Sequence, residues 1–417
     1  MHSDNVPPAV YEIAGKRWVK DAPGFAEAIA DAFEKRLRPR CLCRENPDGQ
    51  GIEMYVAHFM DRYIVKRMPY TGSHHDINCL SYELPASLTG RGQLLGSAIV
   101  EDPATGNTSL RLGFSLTKMP GRSQLPLAGS ENEMVANNST KLSLRGLLHY
   151  LWDQAELTRW KPGFAGKRTW ATVRKYVLQA AEHTIVNRGL LRSRLYIPEV
   201  FSVDQREAIN DRLMTHWSQS IASPGMQQHL VLLIAEVKEI VPARYSYKAV
   251  LKHVPDHAFV LNEQMYRSIG NRFSAELALW GASDKLRLVM IATFNLSNAA
   301  IPTIFDLSLM LVTSQWLPVE NANEHQLLDR LVRDGRAFNK GLRYNLSRKS
   351  AVANAILVDT HPSPVALFVG TRGPEDEEMQ VMLRTMSLTS QAPIWVWQAD
   401  RSSMPALPER AMPSATS

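Results

Sequence analysis

A chain of 417 residues, 45% hydrophobic and 21% charged, has the composition of a globular protein with room for two or three cores. No apolar run approaches the ~20 residues that span a bilayer, and the first residues lack a basic region followed by an apolar core, so neither a membrane helix nor a secretory leader is expected. Three cysteines are too few and too odd for a disulfide framework; reduced thiols and a cytoplasmic location follow. The net charge of +6 is small for this length, but it is unevenly spread. Between Lys141 and Leu195 eleven Lys and Arg residues face three acidic ones, which leaves the remainder slightly acidic. A local excess of this kind is the footprint of a phosphate-backbone contact, or a solvated basic surface.

The first element is a helix predicted over 24–37, with Phe25, Ile29 and Phe33 on one face and Pro39 beyond its end. All three cysteines then fall between 41 and 79: Cys41 and Cys43 open the stretch, and His74, His75 and Cys79 close it. Two apolar runs, 52–57 and 63–68, read as a strand and its return. A Cys-x-Cys pair with a distant His and Cys offers the four soft ligands of a structural zinc site, taken as Cys41, Cys43, His75 and Cys79. His75 is preferred to His74 for its three-residue spacing to Cys79. The alternative is three cysteines buried as small apolar groups. Catalytic zinc signatures are absent, and four protein ligands leave no open position, so no catalytic residue is assigned.

Strands are expected at 93–100 and 109–116, followed by a linker over 119–139. In the basic segment, Leu144, Leu147, Leu148, Leu151 and Trp152 predict one helix; Trp170, Val173, Val177 and Ala181 predict a second over 169–183; and 194–201 alternates like a strand. Helix, turn, basic helix and strand is compatible with a helix-turn-helix or winged-helix unit, or with a plain helical pair having a basic surface. In the first case Lys167, Arg168, Arg174, Lys175, Arg188, Arg192 and Arg194 would meet DNA phosphates. A helix over 204–221 with Asp204 as N-cap, β-rich runs at 229–241, 286–294 and 305–313, and a helical stretch at 263–280 suggest one sheet with a helix across it. The last part reads helix (324–338), three strands (342–346, 353–359, 365–369), helix (375–388) and strand (394–398). That order resembles the core of restriction-endonuclease-like nucleases. Their acidic metal-binding motif is missing, since Ala353-Asn354 and Leu367-Phe368-Val369 occupy its places, so the resemblance implies a site without catalysis. The Pro-containing tail over 401–417 is expected to be disordered.

Six stretches, Arg38-Pro-Arg-Cys-Leu-Cys43, Tyr63-Ile-Val-Lys-Arg-Met-Pro69, His74-His75 with Cys79, Gly92-Gln-Leu-Leu-Gly-Ser-Ala98, Leu144-Arg-Gly-Leu-Leu-His-Tyr-Leu-Trp152 and Lys340-Gly-Leu-Arg-Tyr-Asn-Leu346, are similar to domain-of-unknown-function family 1173 over most of the chain. The resemblance implies a setting on proteobacterial plasmids and integrative conjugative elements and brings no established activity.

The resulting expectation is an α+β, multidomain chain. It has a zinc-clipped β-rich domain (1–118), a linker, a basic winged-helix-like segment (140–203), an α+β domain with a degenerate nuclease-like core (204–400) and a tail. The leading function is a non-catalytic, zinc-stabilised DNA-binding accessory protein of a mobile element, with no membrane association. The alternatives are a metal-dependent nuclease, for which Glu320, Glu324, Asp329 and Asp359 are the available carboxylates, and an adaptor that binds protein partners.

Overall fold

A computed structural model describes residues 9–45, 49–59, 62–76, 79, 81–83, 89–118, 140–221, 228–244, 246–297, 300–347, 350, 352–370 and 393–411. At the N-terminal end, β1 (Val10–Ile13) and β2 (Lys16–Val19) are joined through Ala14 and Gly15, both at positive φ, the two-residue turn that matches strand twist. After α1 (Phe25–Glu34), which buries Phe25, Ile29 and Ala32, come β3 (Arg40–Glu45), β4 (Gly51–Phe59) and β5 (Arg62–Arg67). They complete a five-stranded antiparallel sheet in the order β2-β1-β3-β4-β5. The expected strand and return are its β4–β5 hairpin, with Met54 opposite Arg67 and Ala57 opposite Ile64. Its own core is small, built on Tyr11, Ile13, Phe25, Ile29, Ile52, Met54 and Val56.

The next hairpin, β6 (Ile99–Glu101) with β7 (Thr108–Leu110), is shorter than expected, because residues 93–98 turn at Gly96, whose φ is 74°. Both helices of the basic segment form where predicted. They are α2 (Leu144–Gln154), capped by Ser143 Oγ accepting from Gly146 N, and α3 (Trp170–Glu182), capped by Thr169 Oγ1 accepting from Thr172 N. A hairpin of β8 (Thr184–Val186) and β9 (Gly189–Leu190) follows, with β8 parallel to β7. The strand expected over 194–201 is only Leu195–Tyr196; the rest runs extended along α3, where Trp170 Nε1 and Arg174 Nε donate to Pro198 O and Ile197 O. Asp204 does not cap α4 (Arg206–Trp217), because a 3-10 turn over Val203–Gln205 carries the chain into the helix.

In place of one sheet crossed by a helix, residues 231–313 form a closed barrel. Its strands are β10 (Val231–Ala243), β11 (Ser246–Leu251), β12 (Val254–Leu261), β13 (Leu286–Leu296) and β14 (Pro302–Thr313). The order is β10-β11-β12-β14-β13, and β13 pairs back onto β10 over seven residues. All pairs are antiparallel except β12 with β14. Helices α5 (Glu263–Arg272) and α6 (Ser274–Gly281), separated at Phe273, connect β12 to β13. Alternation along the strands sends Leu233, Phe259, Leu288, Met290 and Phe294 inward. Leu232, Ile234, Val289, Ile291 and Val312 point outward into a second core shared with α2, α3, Leu94 and Tyr344. That core draws on residues from all three expected domains.

The C-terminal sheet contains β15 (Phe338–Lys340), β16 (Ala355–Leu357), β17 (Val365–Gly370) and β18 (Ile394–Gln398), preceded by α7 (Ala322–Arg333). The first three are an antiparallel meander, β18 lies parallel to β17, and Arg159–Trp160 adds an edge strand beside β15. The expected linker 119–139 and helix 375–388 lie outside the described residues. Residues 401–411, expected to be disordered, pack on this sheet: Trp395 and Trp397 donate to Ala406 O and Ser402 O, and Arg336 donates to Pro408 O. The indole and guanidinium donors explain why a segment rich in proline and small residues is held. Among the described residues no helix is long and apolar enough to cross a membrane.

The strand expected at 342–346 is a loop, because its polar groups are spent on α2. Arg145 donates to Tyr344 O and Leu346 O, Asn345 Oδ1 accepts from Ser143 N, and His149 Nδ1 accepts from Tyr344 N. Two of the six family-like stretches are thus one interlocked unit. It has no space for added atoms, since a Cβ on Gly341 would overlap the carbonyl oxygen of Ala353. Gly341→Ala is expected to lower stability by about 2–3 kcal/mol in a urea titration, and an unchanged midpoint would contradict this packing.

Burial pushes the His149 imidazole down to about 3 from its ordinary 6.5. Below pH 6.5 the unfolded chain takes up a proton that the folded chain refuses, so stability present above 6.5 is lost as pH falls toward 3, at a limiting rate of about 1.4 kcal/mol per pH unit. His149→Asn keeps an acceptor for Tyr344 N and should flatten that part of the stability–pH curve. Identical curves for the two proteins would refute the assignment.

Candidate metal centre

Cys41 and Cys43 are two apart on β3, so both sulfurs leave the same face of the strand. The chain returns to that face after β5, through a 3-10 turn at Gly72–His74, and His75 leaves the turn in extended backbone. His75 is 1% exposed whereas His74 is exposed, so His75 is the histidine of the group. Its Nδ1 lies 3.4 Å from Cys43 Sγ and 3.8 Å from Cys79 Sγ, and Cys41 Sγ lies 3.7 Å from Cys79 Sγ. The four ligand atoms all fall within 4.8 Å of one another. A tetrahedral ion with bonds of about 2.3 Å keeps its ligand atoms about 3.8 Å apart, so the group is of a size that could hold a metal ion.

Two further features fit a thiolate site. Asp76 N donates to Cys43 Sγ at 3.3 Å and Ser81 N to Cys79 Sγ at 3.4 Å, stabilising negative sulfur. Hydrogen bonds from Cys41 and Cys43 lower the Cys79 thiol strongly, while the Cys41 thiol, bonded to Cys43 and Cys79, is pushed up. Without an ion the three sulfurs cannot all ionise together; a bound cation removes that conflict. The ring nitrogen turned to the sulfurs is Nδ1, while His75 Nε2 is buried with no partner among the described residues. The backbone N–H donors were not legible in the sequence, although the short chain between His75 and Ser81 is what places them.

The seven basic residues divide into two kinds. Arg168 is half-buried, its guanidinium donating to Leu157 O at 2.8 Å and stacking over Trp160 and Phe164; burial pushes it down to about 10. Arg174 Nε is taken by Ile197 O, and burial lowers this group too. These two fasten α3 to its neighbours. Arg194 NH1 lies 3.0 Å from His229 Nδ1, and Arg192 is half-buried. Lys167, Lys175 and Arg188 are exposed, as are the aromatic rings of Phe164 and Tyr176 beside them.

The four carboxylates considered for a nuclease site are individually paired. Glu320 meets Arg343 Nε at 2.5 Å, and the Arg343 and Lys340 charges hold it at about 2 against its burial. Glu324 meets Lys340 Nζ at 2.9 Å, Asp329 faces His325, and Asp359 accepts the Arg336 fork together with Ala337 N. Among the described residues the Cys–His group alone gathers three or more metal-ligating side chains in one place.

No curated protein and no solved structure matches the chain. A family model does, over residues 11–400, and it takes in the Cys–His group, the α2–loop interlock and the C-terminal sheet. The chain belongs to the family described as protein of unknown function, DUF1173.

Proposed function

We propose that this is a zinc-stabilised, non-catalytic DNA-binding protein that serves a plasmid or conjugative element. Three thiolates and one imidazole in a closed tetrahedral group suit zinc better than a hard cation, and they leave no position for substrate. The observation that carries the DNA reading is the amphipathic division of α3. Trp170, Val173, Val177 and Ala181 lock one face into the core, while Lys167 and Lys175, with Tyr176 and Phe164 beside them, remain exposed. Basic residues interleaved with aromatic ones suit phosphate contact combined with stacking. The order α2, α3 and the β8–β9 hairpin is that of a winged unit, with Arg188 in the turn of the wing. Arg168 and Arg174 position the helix, and Lys167, Lys175 and Arg188 make the contacts.

In the same reading the C-terminal sheet is a nuclease-like core without a metal site. Its support is the meander β15–β16–β17 with β18 parallel to β17, together with the Lys340 ammonium and Asn354 Nδ2 on Glu324 Oε1, where a cation would otherwise lie.

Anisotropy of a labelled duplex, titrated with full-length protein at several salt concentrations, tests the DNA reading. Binding should weaken with a log–log slope of about −0.9 per phosphate neutralised, and Lys167→Gln/Lys175→Gln should make that slope shallower by about 1.8. Absent or salt-insensitive binding would exclude it.

A further inference from the structure

As an extension of the DNA-binding reading, we propose that the barrel carries a second phosphate-binding track, formed by Lys248, Lys252 and Arg287, that continues the basic surface of α3 along the nucleic-acid backbone. The barrel's strand order is first, second, third, fifth, fourth, with the fourth returning to the first, the third and fifth parallel, and a helical segment between third and fourth. This is the connectivity of oligonucleotide- and oligosaccharide-binding barrels, whose second and third strands present the ligand face. Connectivity alone assigns no ligand, so the side chains must carry the case.

The outer faces of β10, β13 and β14 are covered by α2 and α3, which leaves the outer face of β11 at the open side of the barrel. Ala249 and Leu251 of β11 point inward, so Lys248 and Val250 take outward positions, and Lys252 follows at the turn into β12. Where the covered and open faces meet, Glu236 is 2% exposed and receives Lys252 Nζ at 2.5 Å and Arg287 NH1 at 3.0 Å on the same oxygen, Oε1. The two cations are 42% and 36% exposed. One carboxylate therefore orients two solvent-facing cations and neutralises only one of them. Exposed Lys238 and Glu239 nearby cancel each other.

Contacts join this track to α3. The Arg287 guanidinium lies over the Trp316 ring, which packs on Trp170 at the start of α3. Trp170 stacks on His253, next to Lys252, and Arg168 reaches Gln315 O beside Trp316. A guanidinium held on an indole face with its charge half-satisfied is a pre-ordered phosphate ligand. The occupant that fits a row of cations leading from a basic helix across such a barrel is a polyanionic nucleic-acid backbone.

The test uses full-length protein with a labelled duplex and the corresponding single strand, each titrated across salt. Glu236→Gln/Lys252→Gln/Arg287→Gln removes both cations without leaving a buried charge, and its melting curve checks the fold. Lys248→Gln, outside the ion cluster, is a second variant whose effect does not depend on that cluster. On duplex, the triple variant should make the slope shallower by about 1.8 and Lys248→Gln by about 0.9, with affinity down roughly tenfold for the triple variant. If only the single strand shows these losses, the track is confirmed and its ligand is unpaired backbone. If Lys167→Gln/Lys175→Gln weakens binding while all barrel variants match wild type, the track is refuted and the α3 reading stands. If wild type binds neither probe, both fall.

Discussion

Stripping the metal with a strong chelator is expected to unfold the N-terminal sheet while leaving the barrel and the C-terminal sheet intact. The buried apolar side chains beneath β1–β5 and α1 are few for a self-standing unit. Cys43 and His75 are far apart in the chain, closing that span is entropically costly, and an ion held by the four ligands would close it. Metal binding in small closed sites contributes folding free energy directly, about 10–16 kcal/mol in zinc-finger peptides. Once the ion leaves, the three crowded sulfurs cannot all stay ionised, which adds to the loss. Hydrogen exchange should therefore show loss of protection in β1–β5, with protection kept at Leu233, Met290 and Leu309 of the barrel. Uniform protection with and without chelator would contradict a structural metal. Loss everywhere would mean that the N-terminal sheet supports the whole molecule.

Glu324→Ala is the second large effect, expected to cost about 3–5 kcal/mol. Glu324 and Lys340 have side chains 1% and 3% exposed, and Glu324 also accepts from Asn354 Nδ2 at 2.7 Å and from Glu320 N at 2.6 Å. Removing the carboxylate leaves the Lys340 ammonium buried, with Gly341 O as its remaining hydrogen-bond acceptor among the described residues and Glu320, already bonded to Arg343, as the nearby negative charge. The penalty is that of a stranded charge, so it should be recovered by removing the charge as well. Glu324→Leu/Lys340→Met should return most of the lost stability in urea titrations. If the double variant is as unstable as Glu324→Ala, the cost lies in packing and the electrostatic account fails.

The two helices of the basic segment were legible from their apolar spacing, and the Cys–His group because every thiol in the chain lies in it. The spacing of His75 to Cys79 pointed to the histidine that lies with the three cysteines. Strands β11 and β12 were missed. Their outward positions carry Lys248, Asp256 and Ala258, so each run is only half apolar and too short to stand out beside Val231–Ala243. Barrel closure depends on pairing Val231 with Phe294 across more than sixty residues, which no local pattern encodes. Residues 342–346 looked like a strand because their partners, Ser143, Arg145 and His149, lie about two hundred residues earlier. Arg168 and Arg174 counted as surface charge for the same reason: the carbonyls of Leu157 and Ile197 that hold them are fixed only by tertiary structure.

The most direct measurement is elemental analysis of purified full-length protein beside a Cys79→Ser variant. A closed tetrahedral group of three thiolates and His75 Nδ1 predicts one zinc per chain in the native protein and almost none in the variant. Native protein that folds and melts normally with no bound metal, or a variant that retains its zinc, would contradict it.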